Sequence, residues 1–211
     1  MTRELVCSLL PSRRADGHKG DFGRVYAVAG SVGYTGAPVY AAEAAARTGS
    51  GLVFVGVPEE VYPIVAARCA TAMAQPLPKD REDLLERLNR CDAVVLGPGL
   101  GRLPQTEELV VFLLERLEKP VILDADGINA AAAHIHVLRN RRRPTVVTPH
   151  EGEFLRLGGD LSLGREQAAL AAARALGCVM VLKGPGTVIA APDGRTRLNT
   201  TGNCGMAKGG S

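Results

Sequence analysis

From residue 25 onward, short runs of β-branched and aliphatic residues alternate with longer amphipathic segments. The short runs are hydrophobic throughout, as strands covered on both faces are, and the longer segments have the period of helices packed on a sheet. The pattern predicts strands over 25–30, 52–57, 93–97, 121–124, 145–148 and 179–183, with helices over 37–48, 58–68, 80–89, 106–117, 151–157 and 164–176. Near the end, 187–191 and 195–198 read as a hairpin closed by Pro192-Asp193-Gly194, because Asp-Gly supplies the positive φ of a tight turn. Such a βα series implies one α/β domain with a mostly parallel sheet and helices on both faces. The chain then stops in the glycine-rich stretch Gly209-Gly210-Ser211, where every earlier glycine-rich loop leads into a helix, so C-terminal helices are expected to be missing.

Composition narrows the function classes. With 211 residues and 46% hydrophobic content, one sizeable core can be buried, and 25 glycines let helices sit close on a sheet. A net charge of +3 is too mild to imply nucleic-acid binding. The run Arg139-Asn140-Arg141-Arg142-Arg143 lacks interleaved aromatics and reads as a solvated loop. Five scattered cysteines without a C-x-x-C pair suggest neither a disulfide framework nor zinc, and fit reduced thiols in a cytoplasmic protein. The apolar run at residues 5–10 is too short for a secretory signal or a membrane span.

Ligands of open α/β sheets bind beyond the carboxyl ends of the strands, and five segments lie there. Gly30-Ser31-Val32-Gly33-Tyr34-Thr35-Gly36-Ala37 leads from a strand into an alanine-rich helix, as an anion-binding loop or as a tight turn with close packing. Leu96-Gly97-Pro98-Gly99-Leu100-Gly101 likewise leaves backbone open to a ligand. Leu123-Asp124-Ala125-Asp126-Gly127-Ile128-Asn129 offers two carboxylates, either magnesium-associated or, at Asp126, a helix N-cap. In Thr148-Pro149-His150-Glu151-Gly152-Glu153, His150 is a cap or a substrate contact. Lys183-Gly184-Pro185-Gly186-Thr187 combines a cation, bare backbone and a hydroxyl suited to phosphate or ribose oxygens.

Together with His18-Lys19-Gly20 and Asn203-Cys204-Gly205-Met206-Ala207-Lys208-Gly209-Gly210-Ser211, these segments resemble, in order and over nearly the whole chain, the ADP/ATP-dependent NAD(P)H-hydrate dehydratases of the ribokinase-like superfamily. The histidine of Thr148-Pro149-His150 separates that family from sugar and vitamin kinases, whose loop usually carries asparagine. The resemblance implies a ribokinase-like fold, ADP or ATP as phosphoryl donor, Mg2+, hydrated NADH or NADPH as substrate, and self-association into a homo-oligomer. It puts Ala37, Gly99 and His150 at the hydrated nicotinamide nucleotide and Lys183, Gly184, Pro185, Gly186 and Thr187 at the adenylate of the donor. Further contacts are implied for Asp126, Glu153, Asn203, Gly205, Gly209 and Gly210, with no protein-held metal site.

The family's catalytic aspartate would follow Gly209-Gly210-Ser211 and is not in this sequence, so the 211-residue chain by itself is expected to be inactive, with one sheet face less covered. The alternatives are a small-molecule kinase of the same fold, acting on a sugar or vitamin precursor, and a non-catalytic nucleotide-binding module. Nothing in the spacing supports a nucleic-acid or membrane role.

Overall fold

A computed structural model describes residues 2–206. In chain order its elements are α1 (Arg3–Leu9), β1 (Arg24–Val28), α2 (Gly36–Arg47), β2 (Leu52–Val57), α3 (Tyr62–Arg68), β3 (Met73–Pro76), α4 (Arg81–Asn89), β4 (Ala93–Leu96), α5 (Pro104–Arg116), β5 (Val121–Leu123), α6 (Asp126–Ala133), α7 (His136–Arg139), β6 (Thr145–Val147), α8 (Glu151–Arg156), α9 (Arg165–Leu176), β7 (Val179–Leu182), β8 (Thr187–Ala190) and β9 (Thr196–Asn199). The strands form one sheet in the order β3-β2-β1-β4-β5-β6-β7-β8-β9, parallel from β3 to β7 and antiparallel at β8 and β9.

All six predicted parallel strands and the hairpin are present. The hairpin turn is tied by Ala191 N donating to Arg195 O at 2.9 Å, with Gly194 at φ 100. Four elements escaped the periodicity: α1, β3 and the two short helices α6 and α7. β3 has no β-branched residue, and it is an edge strand closed by Pro76, a position where the missing N–H costs nothing. α1 buries no residue, so no apolar stripe marks it. Five of the predicted strands also run one or two residues past the observed ends, into the first residues of the loops, whereas β2 ends where predicted.

Two apolar clusters hold the layers together. On one face, α4, α5, α6, α7 and α9 pack on the sheet around Val28, Leu84, Leu88, Leu96, Leu113, Leu123, Met180 and Leu182, with Phe154 of α8 among them. On the other face, α2 and α3 cover β1, β2 and β3 through Val39, Ala42, Val53, Val55, Val57 and Val65. Beyond β1 that second face is thinly covered. Val95, Ile122 and Val146 are paired across β4, β5 and β6 and are only half-buried, as are Val181 and Ile189 across β7 and β8, whereas Val94, Leu123, Val147 and Met180 of the same strands are buried.

The arginine run needs correcting. Arg139, Arg142 and Arg143 are exposed, but Arg141 turns inward and donates to Thr145 Oγ1 (3.0 Å), Leu114 O (2.7 Å) and Lys119 O. Burial and the neighbouring Arg143 lower its pKa to about 10. The run is therefore partly a clamp that satisfies carbonyls at the end of α5 and beyond it, since buried acceptors need partners.

Candidate functional site

Strand order reverses at β1, whose neighbours are β2 and β4, so the crevice expected of an open α/β sheet lies beyond the carboxyl ends of β1 and β4. The loops leaving those two strands meet there. Gly30 N donates to Pro98 O at 2.8 Å, and Ser31 Oγ donates to Gly99 O at 2.8 Å. Gly99 holds φ +66, and a Cβ on it would lie 2.9 Å from Ala37 Cβ and 3.0 Å from Tyr34 Cβ. Ala37 and Gly99 thus abut, with Gly99 buried against Ala37 and Tyr34.

The β5 loop fits onto the β4 loop by backbone contact. A Cβ at Gly97 would fall 1.9 Å from Asp124 O, which no side chain tolerates. Ala125 adopts φ 51 and ψ −118, and it is the only non-glycine residue with positive φ among the described residues. Such a conformation costs of order 1–3 kcal/mol, and the surrounding loop contacts enforce it. Ala125 is the N-cap position of α6, so Asp126 is the first helical residue and not the cap. Its carboxylate reaches across the crevice mouth, accepting from Gly101 N at 2.9 Å and Asn129 Nδ2 at 3.3 Å.

Asp124 joins three strand ends. One carboxylate oxygen accepts from Thr148 Oγ1 at 2.7 Å and from Lys183 Nζ at 2.8 Å, while Lys183 N donates to Pro149 O at 2.8 Å. The loops after β5, β6 and β7 are therefore one hydrogen-bonded unit. Nothing in the sequence signalled this, because Asp124 and Lys183 are 59 residues apart. Behind Lys183, Arg165 donates to the carbonyls of Leu182 and Lys183 at 3.1 and 3.0 Å and pairs with Glu151. Gly184 (φ +148) and Gly186 (φ +68) shape the turn into β8, and Thr187 Oγ1 donates to Gly184 O at 3.1 Å.

His150 is the N-cap of α8. Its Nδ1 accepts from Gly152 N (3.0 Å) and Glu153 N (3.3 Å), and Glu153 Oε2 accepts from His150 N (2.9 Å), a reciprocal capping box. With Nδ1 an acceptor, the neutral ring carries its proton on Nε2. Glu153 is buried at 4% exposure, while the imidazole is more than half exposed at the rim. The cap and an open ring edge coexist in one residue. His18-Lys19-Gly20-Asp21 repeats the device, with His18 Nδ1 accepting from Gly20 N at 3.1 Å and Asp21 Oδ2 from His18 N at 3.0 Å.

β9 runs back toward the same edge, bringing Asn203 and Gly205 to its exposed continuation, where Gly205 N donates to Asn203 Oδ1 at 2.9 Å. Gly209 and Gly210 lie outside the described residues. No three His, Cys, Asp or Glu side chains among the described residues form a metal-holding group. As arranged, the rim carboxylates are engaged: Asp124 by Lys183 and Thr148, Asp126 by Gly101 N, and Glu153 by the cap.

A nine-stranded, mostly parallel sheet with helices on both faces makes this an α/β protein, and its solved neighbours give the ribokinase-like fold. A solved ribokinase-like protein from Enterococcus faecalis superposes with a TM-score of 0.85 at 27% identity, covering 100% of this chain and 74% of that one. The family model described as NAD(P)H-hydrate dehydratase matches residues 25–211, and the chain belongs to that family. It is 37% identical to the ADP-dependent (S)-NAD(P)H-hydrate dehydratase of Bacillus subtilis, over 100% of this chain and 75% of that protein. The structure of the ADP/ATP-dependent dehydratase from that organism, co-crystallised with ATP/Mg2+, has a TM-score of 0.81 at 34% identity, covering 99% of this chain and 75% of that one. A bifunctional NAD(P)H-hydrate repair enzyme of Moorella thermoacetica is 46% identical over 97% of this chain, but the chain spans only 41% of its length.

Proposed function

We propose that this chain is a dehydratase domain that returns the S epimer of hydrated NADH or NADPH to NADH or NADPH at the expense of ADP or ATP. The observation that carries the reading is the contact between Ala37 and Gly99, tied through Asp126 to the Asp124–Lys183 unit along one sheet edge. The hydrated nicotinamide would lie against Ala37 and Gly99 with the exposed edge of His150 facing it. The adenylate of the donor would lie on Lys183, Gly184, Pro185, Gly186 and Thr187.

The chemistry follows from the leaving group. Hydroxide leaves poorly, so the donor's terminal phosphoryl group is transferred to the ring hydroxyl, and AMP or ADP departs. The phosphate ester then eliminates as inorganic phosphate while a ring proton is lost, which restores the dihydronicotinamide double bond. Catalysis of this kind rests on alignment and charge stabilisation. In this chain's rim the Lys183 ammonium supplies positive charge. Magnesium, when used, would arrive on the donor's phosphates with its own waters. We place the protein in the cytoplasm as a self-associating repair enzyme; no helix of the described residues is long and apolar enough to cross a membrane.

The test is calorimetric titration of the 211-residue chain with hydrated NADH and with AMP, combined with product analysis in the presence of ADP for a chain extended beyond Ser211 with the family's aspartate. His150→Ala is expected to weaken hydrated NADH about tenfold and leave AMP unchanged, with Lys183→Met doing the reverse, each being one charge-assisted or polar contact. Inorganic phosphate appearing together with the absorbance of the reduced nicotinamide supports a dehydratase. A phosphorylated product that persists would make it a kinase, and failure to bind either nucleotide would reject the site.

A further inference from the structure

A cavity of about 310 Å³ opens between β1, β2, β3 and the end of α4, lined by Arg24, Tyr26, Phe54, Gln75, Arg87, Arg90 and Cys91. It lies away from the nucleotide rim: Arg24 opens β1, and six residues of extended chain, roughly 20 Å, separate it from Gly30. Tyr26 and Phe54 are register partners on β1 and β2, with ring centroids 6.1 Å apart, and they form an apolar floor. Gln75 of β3 pairs with Gly56, and a Cβ at Gly56 would come within 2.7 Å of the Tyr26 hydroxyl, so this glycine makes the room that the phenol occupies. Arg87 and Arg90 come from the exposed flank of α4.

Two features of this cavity call for a ligand. The Tyr26 hydroxyl belongs to a residue 2% exposed and makes no well-formed hydrogen bond, only a loose contact with the Arg87 side chain, and native structures rarely leave a buried hydroxyl so weakly held. Burial pushes its pKa up, and the charge of the nearby Arg87 opposes that shift. Among the described residues, Arg90 pairs with Glu86, whereas no carboxylate pairs with the side chain of Arg24 or Arg87. Two guanidinium groups without a carboxylate, one of them loosely against a buried phenol, over an aromatic floor are the complement of an anion with an apolar body. Guanidinium recognises carboxylate and phosphate alike, through two parallel N–H donors. A cavity of this size takes one ring and its head group.

We propose that this cavity is a binding site for a small organic anion, a carboxylate or phosphate carried on a single apolar ring, separate from the nucleotide rim. The site stands whether or not the dehydratase reading holds, because it shares no residue with the rim.

The 211-residue chain is titrated with phenyl phosphate, benzoate and inorganic phosphate by amide-detected NMR, with and without saturating AMP. Both organic probes are expected to shift amides of β1, β2 and the end of α4, and the tighter of the two identifies the head group. Inorganic phosphate is expected to bind at least about tenfold more weakly, since no apolar surface is buried. Arg87→Gln and Arg24→Gln should each weaken the organic probe about tenfold, the worth of one charge-assisted hydrogen bond, without lowering the thermal midpoint. Tyr26→Phe should raise the midpoint of the unliganded chain, by deleting a weakly held buried hydroxyl, yet weaken the probe about threefold or more. The proposal is overturned if neither organic probe binds, if affinity ignores both arginine substitutions, if inorganic phosphate binds as tightly as phenyl phosphate, or if AMP displaces the probe.

Discussion

Removing the Asp124 carboxylate should loosen three loops at once. One of its oxygens holds Thr148 Oγ1 at 2.7 Å and Lys183 Nζ at 2.8 Å, tying the loops after β5, β6 and β7. A hydrogen bond to a charged group contributes about 1.5–3 kcal/mol when protected. The ion pair is partly open to solvent, with side-chain exposures of 30% for Asp124 and 39% for Lys183, and screening brings its share down to about 1 kcal/mol. Adding the hydroxyl contact, Asp124→Ala should destabilise by about 2–3 kcal/mol and lower the thermal midpoint by roughly 4–10 °C for a chain of this size. Asp124→Asn keeps an acceptor and should cost about half as much. The assay is urea unfolding of wild type, Asp124→Ala, Lys183→Met and the double variant, read as a double-mutant cycle. The cycle should return a coupling of about 1 kcal/mol. Additivity within about 0.3 kcal/mol would mean that the two side chains do not meet in solution, and the pinned rim would be wrong.

His150→Ala should cost about 1 kcal/mol through loss of the cap, whereas His150→Asn should restore that stability, since asparagine caps well, without restoring affinity for hydrated NADH; wild-type affinity in His150→Asn would remove His150 from the substrate site. Gly97→Ala should unfold the domain or cost about 3 kcal/mol or more, because its Cβ would fall 1.9 Å from Asp124 O, and a soluble variant of wild-type stability would refute the packing of these loops. Stability should fall as pH rises above about 9: burial pushes the Cys178 thiol from 9.0 up to about 12, so between those values the unfolded chain releases a proton that the folded chain keeps. The slope is about 1.4 kcal/mol per pH unit for one such thiol. Cys91, Cys69 and Tyr26 shift in the same direction, and Cys178→Ala should flatten the pH dependence of urea midpoints; an unchanged slope would show that Cys178 does not titrate in this way.

The parallel strands, their helices and the terminal hairpin were legible in the sequence because each is encoded locally, by a run of β-branched residues, a helical stripe or an Asp-Gly turn. The glycine loops were legible for the same reason: a position such as Gly99, at φ +66, favours glycine by its own backbone conformation. Local pattern also carried the order of motifs that resembles the NAD(P)H-hydrate dehydratases, and the family match bears that out. Pairing between distant segments was decided only by the tertiary structure. That Asp124 meets Lys183, that Asp126 bridges to Gly101 rather than capping its own helix, and that Arg141 turns inward while its neighbours stay in water all depend on which loops the sheet order brings together. The cavity over Tyr26 depends on it too, because its arginines come from a strand and a helix that are neighbours only once β4 lies beside β1. Backbone conformation answers to neighbours along the chain, whereas the partner of a charge is whichever group the fold carries within a few ångströms of it.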